Sequence, residues 1–287
     1  MKVMHKGFNY SQDGQGNRLV YHLQGCNMRC PWCANPEGMA YGGTLMVNEE
    51  ELLEQVCPYG AIHKNKLERA TCENCRTREC LHERKNKGVW FSCSEISVEE
   101  LVKEALQSKA LFFESGGVTF SGGEPTLQFE DLKAALLCLK NSGIHTAIET
   151  NGTHLRLEEL FPLIDELIID FKQANEEKHK EYTGISNKNI RENIKKACIA
   201  HSNVHIRTPL IAEFNGDVKY IPEFLEFFSS LDCRCIEFEF LEYHEYGKNK
   251  WKQCGMNYQI QKGYVSETLR RKYEEAFINA NLKIVRT

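Results

Sequence analysis

Apolar positions along this chain switch between two periods, and the switch repeats. RLVYHLQ (18–24) alternates and is rich in β-branched and aromatic residues, which predicts a strand. Ser97, with Glu100 three residues on, has the form of a capping box and predicts a helix start at VEELVKEALQ. GVTFSGGEP reads as a short strand ending in a glycine turn. Helical spacing then runs over 129–142, and Gly143 suits the left-handed position just past a helix. HTAIET predicts a strand and LEELFPLIDE a short helix. ELIIDFK is a continuous apolar run of the kind buried in a parallel sheet. A helix over 187–200, the strand VHIRTPLI, the helix VKYIPEFLEFFSS and the strand IEFEFLEY follow. The helix SETLRRKYEEAFINAN and a short strand, LKIV, close the chain.

This alternation amounts to about six βα units, which predicts an α/β fold with a parallel sheet and helices outside it. A partial (β/α)6 barrel suits the pattern better than a flat doubly wound sheet, though periodicity alone does not separate them. One segment breaks the rhythm. Residues 45–94 are polar, irregular and cysteine-rich, and read as an insert between the first two βα units. Residues 1–44 and 95–287 then form the barrel.

The 287 residues suffice for one large α/β unit carrying a small insert, and a hydrophobic fraction of 41% allows a sizeable core. The formal net charge is −4, with the two signs interspersed. Neither the basic stripe of a nucleic-acid binder nor the acidic block of a disordered tail is present. MKVMHKGFNY lacks the apolar core of a signal peptide, and no apolar run approaches the roughly 18 residues that span a bilayer. The expectation is a soluble cytoplasmic monomer with no membrane or nucleic-acid partner.

Cysteine changes the picture. Of the 13 present, Cys26, Cys30, Cys33, Cys57, Cys72, Cys75, Cys80 and Cys93 fall in the first third. Disulfides are rare in a reducing cytoplasm, so clustered cysteines there point to metal. Cys138, Cys198, Cys233, Cys235 and Cys254 are scattered and read as packing residues.

The run Cys26-Asn-Met-Arg-Cys30-Pro-Trp-Cys33 follows directly on the first strand. Thiolates hold iron–sulfur clusters, and three this close can grip three corners of a [4Fe–4S] cube. The spacing supplies no fourth ligand, so one iron stays open, as in a catalytic metal site. Buried thiols or a zinc knuckle are the alternatives, but zinc usually takes four protein ligands and no nearby histidine completes the set. Trp32 could lid a cofactor, although a core position is the commoner use of tryptophan.

Polar residues recur where the later strands end. Ser121-Gly122-Gly123-Glu124-Pro125 closes the second strand; glycines permit close backbone approach, and a carboxylate can pair with an ammonium. Glu149-Thr150-Asn151-Gly152 closes the third. Asp170 and Lys172 close the fourth, and their spacing puts both on one face. Arg207 ends the fifth strand, and His244 follows the sixth. Each alone fits a turn or a surface ion pair. Together they ring the carboxyl ends of the strands, where barrel enzymes place their sites.

The C-x3-C-x2-C run, with an aromatic residue before its last cysteine, resembles the signature of the radical S-adenosylmethionine superfamily. Further stretches resemble one branch of it, the activating enzymes of glycyl radical enzymes: DGQGNR, CNMRCPWCANPE, SGGEP, ETNG, DFK, YTGISNKNIREN, HIRTPLI and EYHEYGKNKW. That resemblance covers nearly the whole chain outside the insert. It implies a [4Fe–4S] cluster on Cys26, Cys30 and Cys33, with S-adenosylmethionine chelating the open iron. It implies reductive cleavage to a 5′-deoxyadenosyl radical, which takes a hydrogen from a glycine Cα of a partner glycyl radical enzyme. A flavodoxin or ferredoxin would supply the electron. By position, Gly122, Gly123 and Glu124 match the motif for the methionine amino group. Trp32, Asp170, Lys172, Arg207 and His244 match positions at the cofactor. Glu149, Thr150 and Asp170, with the Ile168 carbonyl, match ligands of a monovalent cation, Na+ or K+. The chain departs from the pattern at Ala34 (usually histidine), Gln15, Asn17, Glu149 (usually aspartate) and the segment after Pro209.

The insert resembles half of a two-cluster ferredoxin. Cys57-Pro58 matches the end of one cluster motif, and Cys72-x2-Cys75-x4-Cys80 the start of the next. Cys57, Cys72, Cys75 and Cys80 would then hold one auxiliary [4Fe–4S] cluster, with Cys93 as a substitute ligand. Zinc, or a loop without metal, is the alternative. Two rival functions stay open: a radical enzyme acting on another peptide or small molecule, and an iron–sulfur electron carrier without S-adenosylmethionine chemistry.

Overall fold

The chain begins with β1 (Lys2–Tyr10), which folds back antiparallel on β2 (Asn17–Leu23) with Gly7 opposite Val20. The computed structural model describes residues 1–54, 57–73, 75–82 and 87–287. The cysteine-rich segment follows, with β3 (Leu45–Val47), β4 (Ile62–His63), β5 (Lys66–Leu67), the short helix α1 (Arg69–Glu73) and β6 (Val89–Phe91). Strand β3 pairs with β6 and β4 with β5, each pair antiparallel and separate from the main sheet. Val47, Leu52, Ile62 and Val89 form a small apolar cluster of their own. β7 (Ser94–Glu95) rejoins the main sheet beside β1.

The βα alternation then runs through α2 (Val98–Gln107), β8 (Gly117–Gly122), α3 (Phe129–Asn141), β9 (His145–Thr150), β10 (Glu166–Asp170), α4 (Glu176–Thr183), α5 (Lys188–Ala200), β11 (Val204–Leu210), α6 (Ile221–Ser229), β12 (Ile236–Glu242), α7 (Lys248–Gln253), α8 (Glu267–Asn279) and β13 (Lys283–Ile284). The sheet order is β13-β12-β11-β10-β9-β8-β2-β1-β7. From β2 to β13 each neighbouring pair is parallel, as the partial-barrel expectation requires. The capping box on α2 is formed at both ends: Ser97 accepts from the Glu100 N–H, and the Glu100 carboxylate accepts from the Ser97 N–H. Residues 157–163 wind as a 3-10 helix with Pro162 inside, where an α-helical bond to that residue has no N–H.

The strands look apolar in sequence yet have two unlike faces. Tyr21, Phe120, Ile148, Ile169, Ile206 and Phe238 point to one buried cluster beneath the helices. The intervening positions carry Thr119, Ser121, Glu149, Asp170, Arg207 and Glu239, so the other face is polar. Register aligns them: Asp170 stands opposite Arg207, and Arg207 opposite Glu239. The outer face makes the core, and the inner face makes a site. The sequence reading did not anticipate β1, α4 or α7; β1 is mostly exposed along its length, and α4 and α7 each bury only one or two residues.

Candidate functional site

Three loops at the carboxyl ends of β2, β8 and β9 are laced together by backbone. After β2, Gly25 N–H donates to the Gly38 carbonyl at 2.9 Å and Cys26 N–H to Met39 at 3.3 Å. The fully buried Gln24 amide donates to the Glu37 and Ala40 carbonyls, closing the loop base. From the β8 side, Gly123 N–H donates to Leu23 and Glu124 N–H to Gly25, at 2.9 and 2.7 Å. A Cβ on Gly123 would stand 2.3 Å from the Gly25 oxygen, so no other residue allows this approach.

The three thiols lie on that loop. A turn brings Cys33 N–H to the Cys30 carbonyl at 3.1 Å. Cys30 is buried, and Cys26 and Cys33 are half-buried. Backbone N–H groups aim at two of the sulfurs: Met28 at Cys26 Sγ and Asn35 at Cys33 Sγ, both at 3.4 Å. Burial pushes Cys26 up to about 12, and Cys30 and Cys33 are also raised, by burial first. Burial thus makes the bare thiols weaker acids than an exposed cysteine, and a bound metal would displace their protons. Among the described residues no three Cys, His, Asp or Glu converge closely enough for a single ion. Three thiols on one loop are a donor set that suits a cluster, whose ligands sit on separate irons.

Glu124 is fully buried and accepts four hydrogen bonds. Oε1 takes Thr126 N–H (3.0 Å), Thr126 Oγ1 (2.5 Å) and Thr150 Oγ1 (2.7 Å), and Oε2 takes Asn151 N–H (2.6 Å). It thus ties the SGGEP turn to the ETNG turn. Asn151 continues the chain of contacts to Asn27 of the cysteine loop at 2.8 Å.

Lys172 Nζ donates to Asp170 Oδ2 at 2.5 Å and is 9% exposed. Burial alone would lower its pKa, but Asp170 and the nearby Cys30 and Cys26 raise it above the ordinary lysine value. A fixed cation thus stands beside the thiols, suited to an anionic ligand group. Arg207 donates to Glu239 (Nε, 3.0 Å), to Glu149 (Nη1, 3.0 Å) and to the Gln12 carbonyl. Glu149 also accepts from Ser121 at 2.8 Å. Glu149, Thr150 and Asp170 sit on neighbouring strands, but a cation there competes with Arg207 and Lys172 for the carboxylates. Trp32 packs on Phe214 at 4.6 Å between ring centroids and lies near Tyr182. His244 is exposed and stacks on Tyr246 at 4.4 Å.

The YTGISN stretch supports the cysteine loop. Arg29 N–H donates to the Thr183 carbonyl at 2.9 Å, and Thr183 is bonded back to His179. His179 is fully buried, its Nδ1 lies 2.6 Å from the Ile185 carbonyl, and burial lowers its pKa to about 4. The folded state therefore keeps His179 neutral, while the unfolded chain binds a proton below about 6.5. This contribution to stability is complete above pH 6.5 and is lost as pH falls toward 4, by about 3 kcal/mol. Anaerobic urea midpoints between pH 7.5 and 4.5 should fall in the parent chain and fall less in His179→Gln. Equal slopes would refute the assignment.

In the insert, Cys57, Cys72, Cys75 and Cys80 line one apolar pocket, with Leu45 and Tyr59 among its walls. N–H groups again aim at sulfur: Ala61 at Cys57 and Arg78 at Cys75, both at 3.3 Å. Cys93 is not part of this lining; its sulfur lies against Gly43.

Sequence reasoning missed several inner-face residues. Arg18 is fully buried and donates to Thr119 Oγ1 at 2.6 Å and to the Val118 carbonyl at 2.8 Å. Glu239 holds Arg207 from the next strand. The alternation in IEFEFLEY exposes Glu239 as a polar position opposite the apolar face; nothing local marks its partner.

The family model described as the Radical SAM superfamily matches residues 20–227. The 4-hydroxyphenylacetate decarboxylase activating enzyme of Clostridioides difficile (strain CD196) is 32% identical over 285 residues, covering 93% of this chain and 90% of its own. The trans-4-hydroxy-L-proline dehydratase activating enzyme of Clostridioides difficile is 34% identical over 286 residues, covering 92% of this chain and 89% of its own. A crystal structure of a domain of pyruvate-formate lyase-activating enzyme from Bacteroides vulgatus ATCC 8482 superposes with a TM-score of 0.50 at 28% identity, over 60% of this chain and 98% of that one.

Proposed function

The chain belongs to the radical S-adenosylmethionine superfamily, and from that membership we propose that its barrel mouth generates a glycyl radical on a partner enzyme. It is an enzyme of the activating type, with a glycyl radical enzyme as its protein substrate, in keeping with relatives that match over nine-tenths of its length. When bound, the [4Fe–4S] cluster and S-adenosylmethionine supply reductive cleavage to a 5′-deoxyadenosyl radical, which abstracts a hydrogen from a glycine Cα of the partner. The chain's own residues bind and orient. Cys26, Cys30 and Cys33 hold the cluster and leave one position open. Gly122 and Gly123 bring backbone against the cysteine loop, and Glu124 fixes that turn from beneath. Lys172 would supply a cation for the carboxylate of the cofactor, and Arg207 keeps Glu149 and Glu239 paired on the inner face. Trp32, on the cysteine loop, and His244, after β12, are the further residues assigned to the cofactor by position.

The observation that carries this reading is the three-thiol loop bonded through Gly25 to the Gly122–Glu124 turn, with Lys172 beside it. The insert, which we take as residues 45–94, holds an auxiliary [4Fe–4S] cluster on Cys57, Cys72, Cys75 and Cys80. The shared pocket and the N–H groups aimed at sulfur support this assignment; residues 55, 56, 74 and 83–86 of that range lie outside the described ones. Cys93 is left out of the set. Glu149, Thr150 and Asp170 are the proposed cation ligands, and a flavodoxin or ferredoxin the proposed electron donor to a monomeric, cytoplasmic enzyme. No helix among the described residues is long and apolar enough to cross a membrane.

The test is anaerobic reconstitution with iron and sulfide, reduction, and addition of S-adenosylmethionine with the candidate partner. The expected result is 5′-deoxyadenosine together with a doublet glycyl signal in the partner by electron paramagnetic resonance. Deoxyadenosine with a free small molecule turned over, and no signal in any partner, would favour the rival radical enzyme. No cleavage at all would leave only the electron carrier.

A further inference from the structure

Helix α7 lies between the cysteine loop and the insert and is bonded to both. On the loop side, the Trp251 indole N–H donates to the Cys33 carbonyl at 2.9 Å. Lys250 Nζ donates to Asn35 Oδ1 and Glu37 Oε1, each at 2.7 Å. Asn35 is the residue whose backbone N–H aims at Cys33 Sγ. Gly247, just before α7, abuts the same loop: a Cβ there would stand 2.6 Å from the Cys33 oxygen and 2.7 Å from Ala34 Cα. Ala34 is part of that close approach.

On the insert side, Arg69 Nη2 donates to the Gln253 carbonyl at 2.6 Å, and its Nη1 to the Leu45 carbonyl at 3.1 Å. The Cys254 thiol donates to the Met46 sulfur at 3.3 Å. Leu45 walls the four-cysteine pocket, and Arg69 opens the helix that carries Cys72. Met46, Trp251 and Cys254 are 2%, 6% and 6% exposed, so water offers these groups little substitute.

We propose that Trp251 and Lys250 are positioning residues for the Cys33 arm of the catalytic cluster, and that α7 carries the state of the insert's cysteine pocket to that arm. The inference rests on the function proposed above, because it needs a cluster on Cys26, Cys30 and Cys33. Outer partners orient metal ligands, and hydrogen bonds to ligand sulfur tune a cluster's potential. Lys250 acts on the sulfur through Asn35, and Trp251 acts on the same residue through its carbonyl. Close-packed interiors transmit displacement, so a shift of Arg69 or Met46 reaches Cys33 through one short helix.

The experiment uses the full chain, reconstituted anaerobically with iron and sulfide. Trp251→Phe and Lys250→Met should each keep their iron, yet change the paramagnetic resonance spectrum and midpoint potential of the reduced three-cysteine cluster. Deoxyadenosine formation should slow about tenfold, the lower end for outer partners of metal ligands. Cys75→Ala, which removes a ligand in the insert, should perturb that same spectrum in the parent chain and much less in the Trp251→Phe background. Arg69→Ala should act like Cys75→Ala. If Trp251→Phe does not fold, Lys250→Met and Arg69→Ala, both only half-buried, serve as the second background. A parental spectrum and potential in the α7 variants overturns the proposal, and so does an equal effect of Cys75→Ala in both backgrounds. Absence of any three-cysteine cluster in the parent chain instead overturns the function it rests on.

Discussion

Replacing Cys30 with alanine is expected to reduce deoxyadenosine formation more than about a hundredfold, beyond the largest losses usual for outer partners of metal ligands. Cys30 is the most deeply buried of the three thiols and lies closest to the influence of Lys172. With two ligands left, the cubane loses a corner and the open iron loses its definition. The expected protein loses the iron of the barrel mouth and keeps that of the cluster proposed for the insert, read by iron content and by the spectrum of the reduced state. The fold should survive, because the loop is held by backbone bonds to Gly38, Met39 and Thr183 and not by the sulfur. A folded Cys30→Ala protein that retains full cleavage would remove Cys30 from the ligand set.

Glu124→Gln is the second large effect, and it tests the lacing rather than the ligands. One carboxylate oxygen serves three donors and the other serves Asn151 N–H. An amide has a single oxygen, so its NH2 group must face at least one of these donors at a position that is fully buried. A buried donor left unpaired costs about 1–3 kcal/mol. Because the Glu124 N–H also bonds to Gly25, displacement of this turn moves the start of the cysteine loop. S-adenosylmethionine affinity should fall by about 5- to 150-fold, which is the same energy expressed as binding. Equilibrium dialysis and urea midpoints read the two losses separately. Parental affinity with parental stability would show that the turn is held by its glycines alone. Burial raises the Glu124 carboxyl from its ordinary range and the four donors oppose this, so removing the acidity removes a compensated charge and not a free one.

The strands of the barrel were legible because their periods are local. VHIRTPLI and IEFEFLEY appear as β11 and β12, and ELIIDFK as β10. The helix over 187–200 begins one residue later, with Asn187 before its first turn. Strand β1 was missed because it is mostly exposed, so its side chains carry no repeating apolar signal. The candidate site was legible where spacing implies chemistry, in three cysteines within eight residues; the two glycines before a glutamate read alone as a turn and gained meaning only beside that loop. It was not legible where a role depends on a partner far along the chain. Lys250 meets Asn35 across 215 positions and Trp251 meets Cys33 across 218. Cys254, read as a packing residue like the other late cysteines, is one, but against Met46 of the insert.

By itself, then, the order of residues determined the thiol loop, the parallel strands and the polar residues that close them, since covalent spacing and side-chain alternation act over a few positions. Tertiary closure decided which polar residues share the inner face, that Glu124 holds two turns together, and that a late helix braces Cys33. Those choices follow from sheet order and loop docking, and a hydrogen bond between groups two hundred residues apart leaves no trace in either neighbourhood until the barrel brings them within 3 Å.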